Sequence, residues 1–181
     1  MLKIIGGQYG SRRLQSAPGR NTRPSAARLR EALFSILEAR GLVEDANVLD
    51  VFAGSGALGL EALSRQARFC TFVEKEASAL KALNGNIDAL SLQAQSLVIK
   101  GDFHRPLTAE FDLIIADPPY DCGLVARVLN WVVDNQLLAA GGCLVVEHSL
   151  QEEAGSNALL VLSDQRRYGQ SRISFFEHIK G

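Results

Sequence analysis

Cysteine is scarce in this sequence: the 181 residues include three, Cys70, Cys122 and Cys143, which are odd in number and far apart. Because none of them forms a C-x-x-C pair, the sequence predicts neither a zinc site nor a disulfide framework. We expect all three to be structural residues of the fold, and we expect no metal site.

Long apolar runs are lacking as well. No stretch reaches the ~20 apolar residues that a membrane helix needs, and the first residues, MLKIIGGQYGSRR, lack the apolar segment of a signal peptide. With 47% hydrophobic and 22% charged residues, the composition is that of one soluble globular domain. We therefore expect a cytoplasmic protein without a membrane contact.

Acidic residues are absent from the first thirty positions, although the net charge of the whole chain is −1. Seven basic residues lie in this segment, so the remainder has a net charge of −8. A positively charged segment on an acidic body indicates an anionic partner, although a solvated surface would have a similar composition. The predicted partner contacts are Arg12, Arg13, Arg23, Arg28 and Arg30.

The hydrophobic pattern divides the chain in two. Residues 2–5 and 12–14 predict a β-hairpin, and a helix follows from Ser25 to about Arg40. From Asn47 onward strands and helices alternate, and the apolar strands lack clean alternation, as expected for a buried parallel sheet. We predict a seven-stranded doubly wound α/β sheet with antiparallel last strands over residues 41–181, and a basic extension over residues 1–40.

A glycine-rich loop follows the first predicted strand. The stretch DVFAGSGALGLEA contains Gly54-x-Gly56-x-x-Gly59, which allows a tight turn and the close approach of a ligand. Glu74 ends the second strand, where a carboxylate can accept hydrogen bonds from both hydroxyls of a ribose. Both features also occur in dinucleotide-binding oxidoreductases, so two classes of cofactor remain open at this point.

Asp50 favours one of these classes. It ends the first strand just before the loop, where a fixed carboxylate would repel a pyrophosphate but suits the sulfonium and ammonium of S-adenosylmethionine. Asp102, after the third strand, could accept a hydrogen bond from the adenine amino group or simply form a turn. We predict S-adenosylmethionine as the cofactor, and the expected binding residues are Asp50, Phe52, Gly54, Gly56, Glu74 and Asp102.

The stretch IIADPPYDCG, residues 114–123, ends an apolar strand with two prolines that stop the hydrogen-bonded ladder and stiffen the chain. The Asp117 carboxylate and the Pro118 carbonyl can accept hydrogen bonds from an exocyclic amine. The ring of Tyr120 offers a stacking surface for an extruded base. We predict that Asp117, Pro118 and Tyr120 are catalytic residues that clamp a planar amine or amide.

The chain resembles the RsmD family of bacterial 16S ribosomal RNA guanine-N2 methyltransferases. The resemblance lies in IIGGQYGSRRL, TRPSAARLREALFSIL, LDVFAGSGALGLEALSR, ADPPY and the late YGQSRISFF. Many amino-methyltransferases share DPPY, whereas the TRP-to-ALF block is more specific. One position departs from the family: Ala27 stands where an Asp is usual.

The resemblance implies a class I, Rossmann-like methyltransferase that uses S-adenosylmethionine and takes a flipped guanine as acceptor. It also implies that the basic segment contacts 16S ribosomal RNA, either free or within the small ribosomal subunit or its precursor. Alternatives with a similar clamp are adenine-N6 methyltransferases of DNA or RNA and glutamine-N5 methyltransferases of protein. A nucleotide-binding oxidoreductase and a non-catalytic RNA-binding module are alternatives of other classes.

Overall fold

The computed structural model describes residues 1–17 and 24–179. Seven strands form one sheet of order β3-β2-β1-β4-β5-β7-β6. The elements are α1 (Pro24–Ala39), β1 (Asn47–Val51), α2 (Ala57–Ser64), β2 (Phe69–Glu74), α3 (Ala77–Leu90), a 3₁₀ turn (Gln93–Gln95), β3 (Ser96–Lys100), β4 (Phe111–Ala116), α4 (Leu124–Asp134), β5 (Leu138–Ser149), β6 (Leu160–Tyr168) and β7 (Ser171–His178).

The sheet is parallel from β1 to β5, and β7 pairs antiparallel with both β5 and β6. The chain order reverses between β1 and β4, and parallel α/β sheets bind ligands at such a switch point, beyond the carboxyl ends of the strands. The prediction of a seven-stranded doubly wound sheet with antiparallel last strands is therefore confirmed.

Two apolar clusters cover the two faces of the sheet. One contains Leu33 and Phe34 of α1 together with Phe72 of β2, and it also includes Ile4 and Leu14 from the N-terminal segment. The other packs α4 on the opposite face through residues such as Trp131. Because residues on both sides of position 40 share the first cluster, the N-terminal extension and the α/β domain have a common core.

The N-terminal segment, residues 1–17, forms a short version of the predicted hairpin. A single antiparallel bridge joins Lys3 to Arg13, the N–H of Ile4 donates to the Arg12 carbonyl at 2.9 Å and the N–H of Leu14 donates to the Leu2 carbonyl at 3.0 Å, although these residues form no extended strands. The segment is also attached to α2: the buried carboxylate of Glu61 accepts hydrogen bonds from the N–H groups of Ile5 and Gly6, at 2.7 and 2.8 Å. A helix side chain therefore satisfies backbone N–H groups that do not pair within the hairpin.

Among the described residues, no helix is both long enough and apolar enough to cross a membrane. Residues 1–17 and 24–179 also contain no group of three or more histidine, cysteine or acidic side chains that could hold a metal ion. Cys70 and Cys143 are buried and Cys122 is exposed, and all three are free thiols.

Candidate functional site

The glycine loop between β1 and α2 has an unusual backbone. Phe52, Gly54 and Gly56 all have positive φ angles, of 65°, 58° and 82°. A positive φ is rare for a bulky residue such as Phe, and backbone strain of this kind concentrates at functional sites. At Gly56 a Cβ atom would lie 2.4 Å from Cδ1 of Leu83, so this glycine is also required for close packing.

Glu74, at the end of β2, is fastened to this loop. One carboxylate oxygen accepts a hydrogen bond from the Gly54 N–H at 2.7 Å, and the other accepts from the N–H groups of Lys75 and Glu76 at 2.7 and 2.8 Å. Two carboxylate oxygens offer about four acceptor sites, so Glu74 keeps acceptor capacity for a ligand. Its role toward a ribose remains a prediction.

A cavity of about 140 Å³ opens beside Glu74, and we call it the cofactor cavity. Val73 and Phe103 line it with apolar surface, and Glu74 and Asp102 line it with carboxylates. Phe52 also lines this cavity, with its ring centroid 5.0 Å from that of Phe103. The full lining is Phe52, Val73, Glu74, Lys75, Glu76, Gly101, Asp102, Phe103 and Pro119.

Asp102 is partly exposed and already engaged. Its carboxylate accepts hydrogen bonds from the Phe103 N–H at 2.8 Å and from Nζ of Lys75 at 3.3 Å. Burial raises the pKa of Asp102, but these hydrogen bonds and the charges of Lys75 and His104 outweigh it, so the pKa lies below its ordinary value. The side chain is therefore a charged acceptor at the cavity wall, where the predicted adenine contact remains a proposal.

Asp50 lies deeper than the sequence indicates. The residue is 1% exposed, and its carboxylate accepts a hydrogen bond from the Gly59 N–H at 2.9 Å, in the first turns of α2. It lines neither of the two cavities of this site. Burial, with the Asp50 charge as a second cause, raises the pKa of the neighbouring Cys70 thiol. The observed contact holds α2 against β1, and a ligand contact by Asp50 stays a prediction.

A second cavity, of about 480 Å³, shares Phe52 with the first, and we call it the acceptor cavity. Asp117, Tyr120 and Glu147 line it together with residues of the glycine loop. Leu2, Ser16 and Ala17 from the N-terminal segment and Ala26, Leu29 and Arg30 from α1 complete it. The basic segment therefore encloses the site as well as extending the molecule.

The DPPY motif contributes residues to both cavities. Asp117 follows the last residue of β4 and its N–H lies 3.4 Å from the Val51 carbonyl oxygen, so it remains tied to the neighbouring β1. Pro118 is buried, Pro119 lines the cofactor cavity, and Asp117 and Tyr120 line the acceptor cavity. The motif therefore lies at the junction of both cavities.

Tyr120 is held at its hydroxyl end. The hydroxyl donates a hydrogen bond to the Glu147 carboxylate and lies 2.7 Å from Oγ of Ser171. Burial and the hydrogen bond to Glu147 raise the pKa of Tyr120 well above its ordinary value, so the phenol stays protonated. The residue is 39% exposed, which leaves a ring surface open to a ligand.

Sequence reasoning missed Glu147 and Ser171. Glu147 belongs to β5, which pairs with β4, and Ser171 begins β7, which pairs with β5. The rule that identified Asp117, a polar residue where a parallel strand ends, also applies to Glu147 within the stretch GCLVVEH. No local pattern indicates Ser171, because its place depends on the pairing of distant strands.

The predicted RNA-binding arginines fall into different environments. Arg12, Arg13 and Arg28 are exposed, and Arg23 lies outside the described residues. Arg30 differs from the expected surface contact: it is 6% exposed, its Nε lies 3.5 Å from the Glu61 carboxylate, and its Nη2 donates to the Lys3 carbonyl at 2.6 Å. Burial lowers its pKa, which the Glu61 charge partly opposes.

Comparison with known proteins gives a match over nearly the whole chain. Residues 2–177 match the family described as conserved hypothetical protein 95. Ribosomal RNA small subunit methyltransferase D of Escherichia coli K12 is 37% identical over 163 residues, which cover 83% of this chain and 76% of that protein. The protein of the same name from Buchnera aphidicola subsp. Acyrthosiphon pisum is 30% identical and covers 83% of this chain and 80% of its own length.

Solved structures agree with the sequence matches. A hypothetical protein of Thermus thermophilus superposes with a TM-score of 0.81 at 30% identity, covering 98% of this chain and 99% of that one. The ribosomal protein L11 methylase of Lactobacillus delbrueckii subsp. bulgaricus superposes with a TM-score of 0.72 at 19% identity, over 93% of this chain and 85% of that one. At that identity the second likeness concerns the fold alone, which is that of a class I methyltransferase.

Proposed function

This chain belongs to the conserved hypothetical protein 95 family, the RsmD family of ribosomal RNA methyltransferases, and from that premise we propose its reaction. The resemblance noted in the sequence is thereby confirmed. We propose that the protein transfers a methyl group from S-adenosylmethionine to the exocyclic N2 amine of a guanine in 16S ribosomal RNA. The Escherichia coli and Buchnera aphidicola relatives described above are both named ribosomal RNA small subunit methyltransferase D.

The observation that carries this proposal is the arrangement of the two cavities. Phe52 lines both of them, Asp117 lines the second, and Pro119, two residues further along the same motif, lines the first. A donor bound on one side and a base bound on the other would meet at Asp117. Catalysis by positioning requires two adjoining binding sites of this kind. When both reactants are bound in the right geometry, a bimolecular reaction becomes effectively unimolecular.

The cofactor cavity fits S-adenosylmethionine by its chemistry. Carboxylates of Glu74 and Asp102 can accept hydrogen bonds from hydroxyl and amino groups, and the apolar surface of Val73 and Phe103 suits a flat ring. The glycine-loop N–H groups that would hold a pyrophosphate are satisfied differently. Gly54 donates to Glu74 and Gly59 donates to Asp50, so two negative charges stand where a dinucleotide needs donors. This favours the sulfonium cofactor over the oxidoreductase alternative.

Bound S-adenosylmethionine would supply an electrophilic methyl carbon, whose bond to sulfur breaks as its bond to nitrogen forms. The chain's own residues act on the base. The lone pair of an exocyclic amine is delocalised into the ring, so the amine is a poor nucleophile. Asp117 and the Pro118 carbonyl can accept hydrogen bonds from the two N–H groups of the amine. These hydrogen bonds direct the nitrogen lone pair toward the methyl carbon and stabilise the positive charge that develops on nitrogen. The Asp117 carboxylate can then take the released proton and pass it to water.

Tyr120 positions the base and does not exchange its proton. Its raised pKa keeps the hydroxyl protonated, and the hydrogen bonds to Glu147 and Ser171 fix the ring. Stacking on an aromatic ring contributes ~1–3 kcal/mol per base and helps to offset the cost of flipping the base.

Mass spectrometry of nucleosides tests the proposal. Small ribosomal subunits and free 16S RNA, both from a host strain lacking this gene, would be incubated with the protein and S-adenosylmethionine. We expect N2-methylguanosine to appear at one mapped position, and comparison of the two substrates shows whether assembly is required. Formation of N6-methyladenosine, or calorimetric binding of NAD in preference to S-adenosylhomocysteine, would contradict the proposal.

A further inference from the structure

We propose that Glu147 selects guanine by accepting a hydrogen bond from the N1–H of the flipped base. The neighbouring N2 amine would donate a hydrogen bond to Asp117. This inference rests on the proposed function and names the residue that gives the same cavity its base specificity. Glu147 was not among the residues that the sequence indicated.

The position of Glu147 follows from the strand register. Ala116 of β4 pairs with Val146 of β5, so Asp117 and Glu147 are the next residues along two adjacent parallel strands. Neighbouring strands lie about 4.8 Å apart. Both residues line the acceptor cavity. Two carboxylates therefore stand side by side on one wall of the cavity, with the Tyr120 ring adjoining them.

The carboxylate of Glu147 is oriented but retains acceptor capacity. Its Oε1 accepts the hydrogen bond from the Tyr120 hydroxyl, which fixes the end of the side chain. Within residues 1–17 and 24–179, its other oxygen, Oε2, takes part in no hydrogen bond or ion pair. An ionised carboxylate is a hydrogen-bond acceptor only. The free acceptor positions of Glu147 can therefore bind a hydrogen-bond donor of the ligand.

Guanine alone among the common bases presents two adjacent donors on its pairing edge, N1–H and the N2 amine. Adenine presents a lone pair at N1 beside its amine, and cytosine presents a lone pair at N3. A carboxylate facing such a lone pair would be repelled and would lose its hydration without compensation. A site built to accept a hydrogen from a substrate N–H discriminates strongly against analogues that lack it.

The experiment compares two bases that share the reacting amine. Once the target position is mapped, 16S RNA is prepared with either guanine or 2-aminopurine there, because 2-aminopurine keeps the N2 amine and has a lone pair at N1. Initial rates of methylation are measured for the unaltered protein and for Glu147→Gln. We expect Glu147→Gln to lower the rate on guanine and to shrink the preference for guanine by about tenfold to a hundredfold, because an amide N–H can donate to the N1 lone pair.

Ser171→Ala is the matched control. It removes the other partner of the Tyr120 hydroxyl and leaves both the Glu147 carboxylate and its hydrogen bond from Tyr120, so any loss of rate should be equal on both bases and the guanine preference should be unchanged. An equal loss on both bases in Glu147→Gln would mean that Glu147 only positions Tyr120, which overturns the inference. If the unaltered protein forms no N2-methylguanosine on the guanine RNA, the proposed function itself fails.

A measurement on the unaltered protein covers the case in which Glu147→Gln does not fold, as judged by thermal unfolding and by binding of S-adenosylhomocysteine. RNA with inosine at the target keeps N1–H but has no amine, whereas RNA with adenosine has a lone pair at N1. We expect the inosine RNA to be the stronger competitive inhibitor by about tenfold. Equal inhibition by the two RNAs would overturn the role of Glu147.

Discussion

Individual carboxylates at the ends of neighbouring strands differ in what they bind within the fold. Asp50 supports α2 through Gly59, and Glu74 supports the glycine loop through Gly54. Asp117 and Glu147 line the larger cavity instead. Carboxylates at one edge of the sheet therefore differ in their surroundings: two are bound to backbone N–H groups of the fold, and two line the acceptor cavity.

Asp117 should affect turnover and leave cofactor affinity unchanged. It lies in the acceptor cavity and outside the lining of the cofactor cavity. Loss of a preorganised group at a developing charge costs ~10²–10³ in rate, so we expect Asp117→Ala to lose that much in single-turnover methylation. Calorimetry with S-adenosylhomocysteine should give an unchanged dissociation constant. Weakened binding with turnover retained at saturation would place Asp117 at the cofactor instead.

Glu74 should show the opposite behaviour. Hydrogen bonds to a charged acceptor contribute ~1.5–3 kcal/mol each, so Glu74→Ala should raise the dissociation constant for S-adenosylmethionine at least about tenfold. The change also leaves the N–H of Gly54 without its partner. Glu74→Gln, which keeps one acceptor oxygen, should fall between the two in a calorimetric titration. Equal affinities for all three proteins would refute the ribose contact.

Residues whose role is set within a short stretch could be predicted from the sequence. The glycine loop and DPPY each lie in one contiguous run, and the structure brings both to the junction of two cavities. Glu147 could not be chosen with equal ease, because its place beside Asp117 depends on which strand pairs with β4. Arg30 was expected at the surface because the local sequence does not show its partner, Glu61, which lies on another helix.

At the scale of elements, α2 joins the N-terminal segment to the sheet. Besides the N–H groups of the segment, Glu61 binds Arg65 at 2.9 Å, and Arg65 continues to Glu38 of α1. Ser64 adds a hydrogen bond from the Tyr9 N–H at 2.9 Å. These contacts join distant parts of the chain, so the strand and helix pattern predicted the elements but not their attachment.

Removal of Glu61 should destabilise the whole fold. The residue is fully buried, and its loss leaves the buried guanidinium of Arg30 without its counter-charge. Breaking a buried ion pair in this way costs about 3–5 kcal/mol, which Glu61→Ala should lose in the free energy of unfolding measured with urea. Glu38→Ala is the control, because Glu38 is half exposed at the end of the same network and should cost less than about 1 kcal/mol. Equal losses would show that Glu61 has no special role.

At the scale of the whole molecule, the positively charged N-terminal segment is also part of the apolar core. Exposed Arg12, Arg13 and Arg28 belong to a segment whose Ile4 and Leu14 lie in the main apolar cluster. Deletion of this segment would expose the core and remove part of the acceptor cavity. The sequence predicted a basic extension as a separate unit, since charge can be counted from the sequence whereas the packing of a few apolar residues cannot.

The sharpest test of the RNA surface therefore changes charge and keeps the core. Each bound phosphate releases condensed counterions, so the log–log slope of affinity against salt is about −0.7 per phosphate on single strands. Replacing Arg12, Arg13 and Arg28 together by Ala should weaken RNA binding and flatten this slope by about 0.7 for each phosphate that is no longer bound. Phosphate contacts position the protein while the pocket reads the base, so guanine should remain the only base methylated, and affinity for S-adenosylhomocysteine should not change.

Arg68→Ala serves as control, because Arg68 is an exposed arginine just before β2, at the end of the sheet opposite the site. Binding measured at several salt concentrations decides the matter: a slope unchanged in the triple variant, or reduced as much per residue in Arg68→Ala, would show that the basic segment is not the RNA-binding surface.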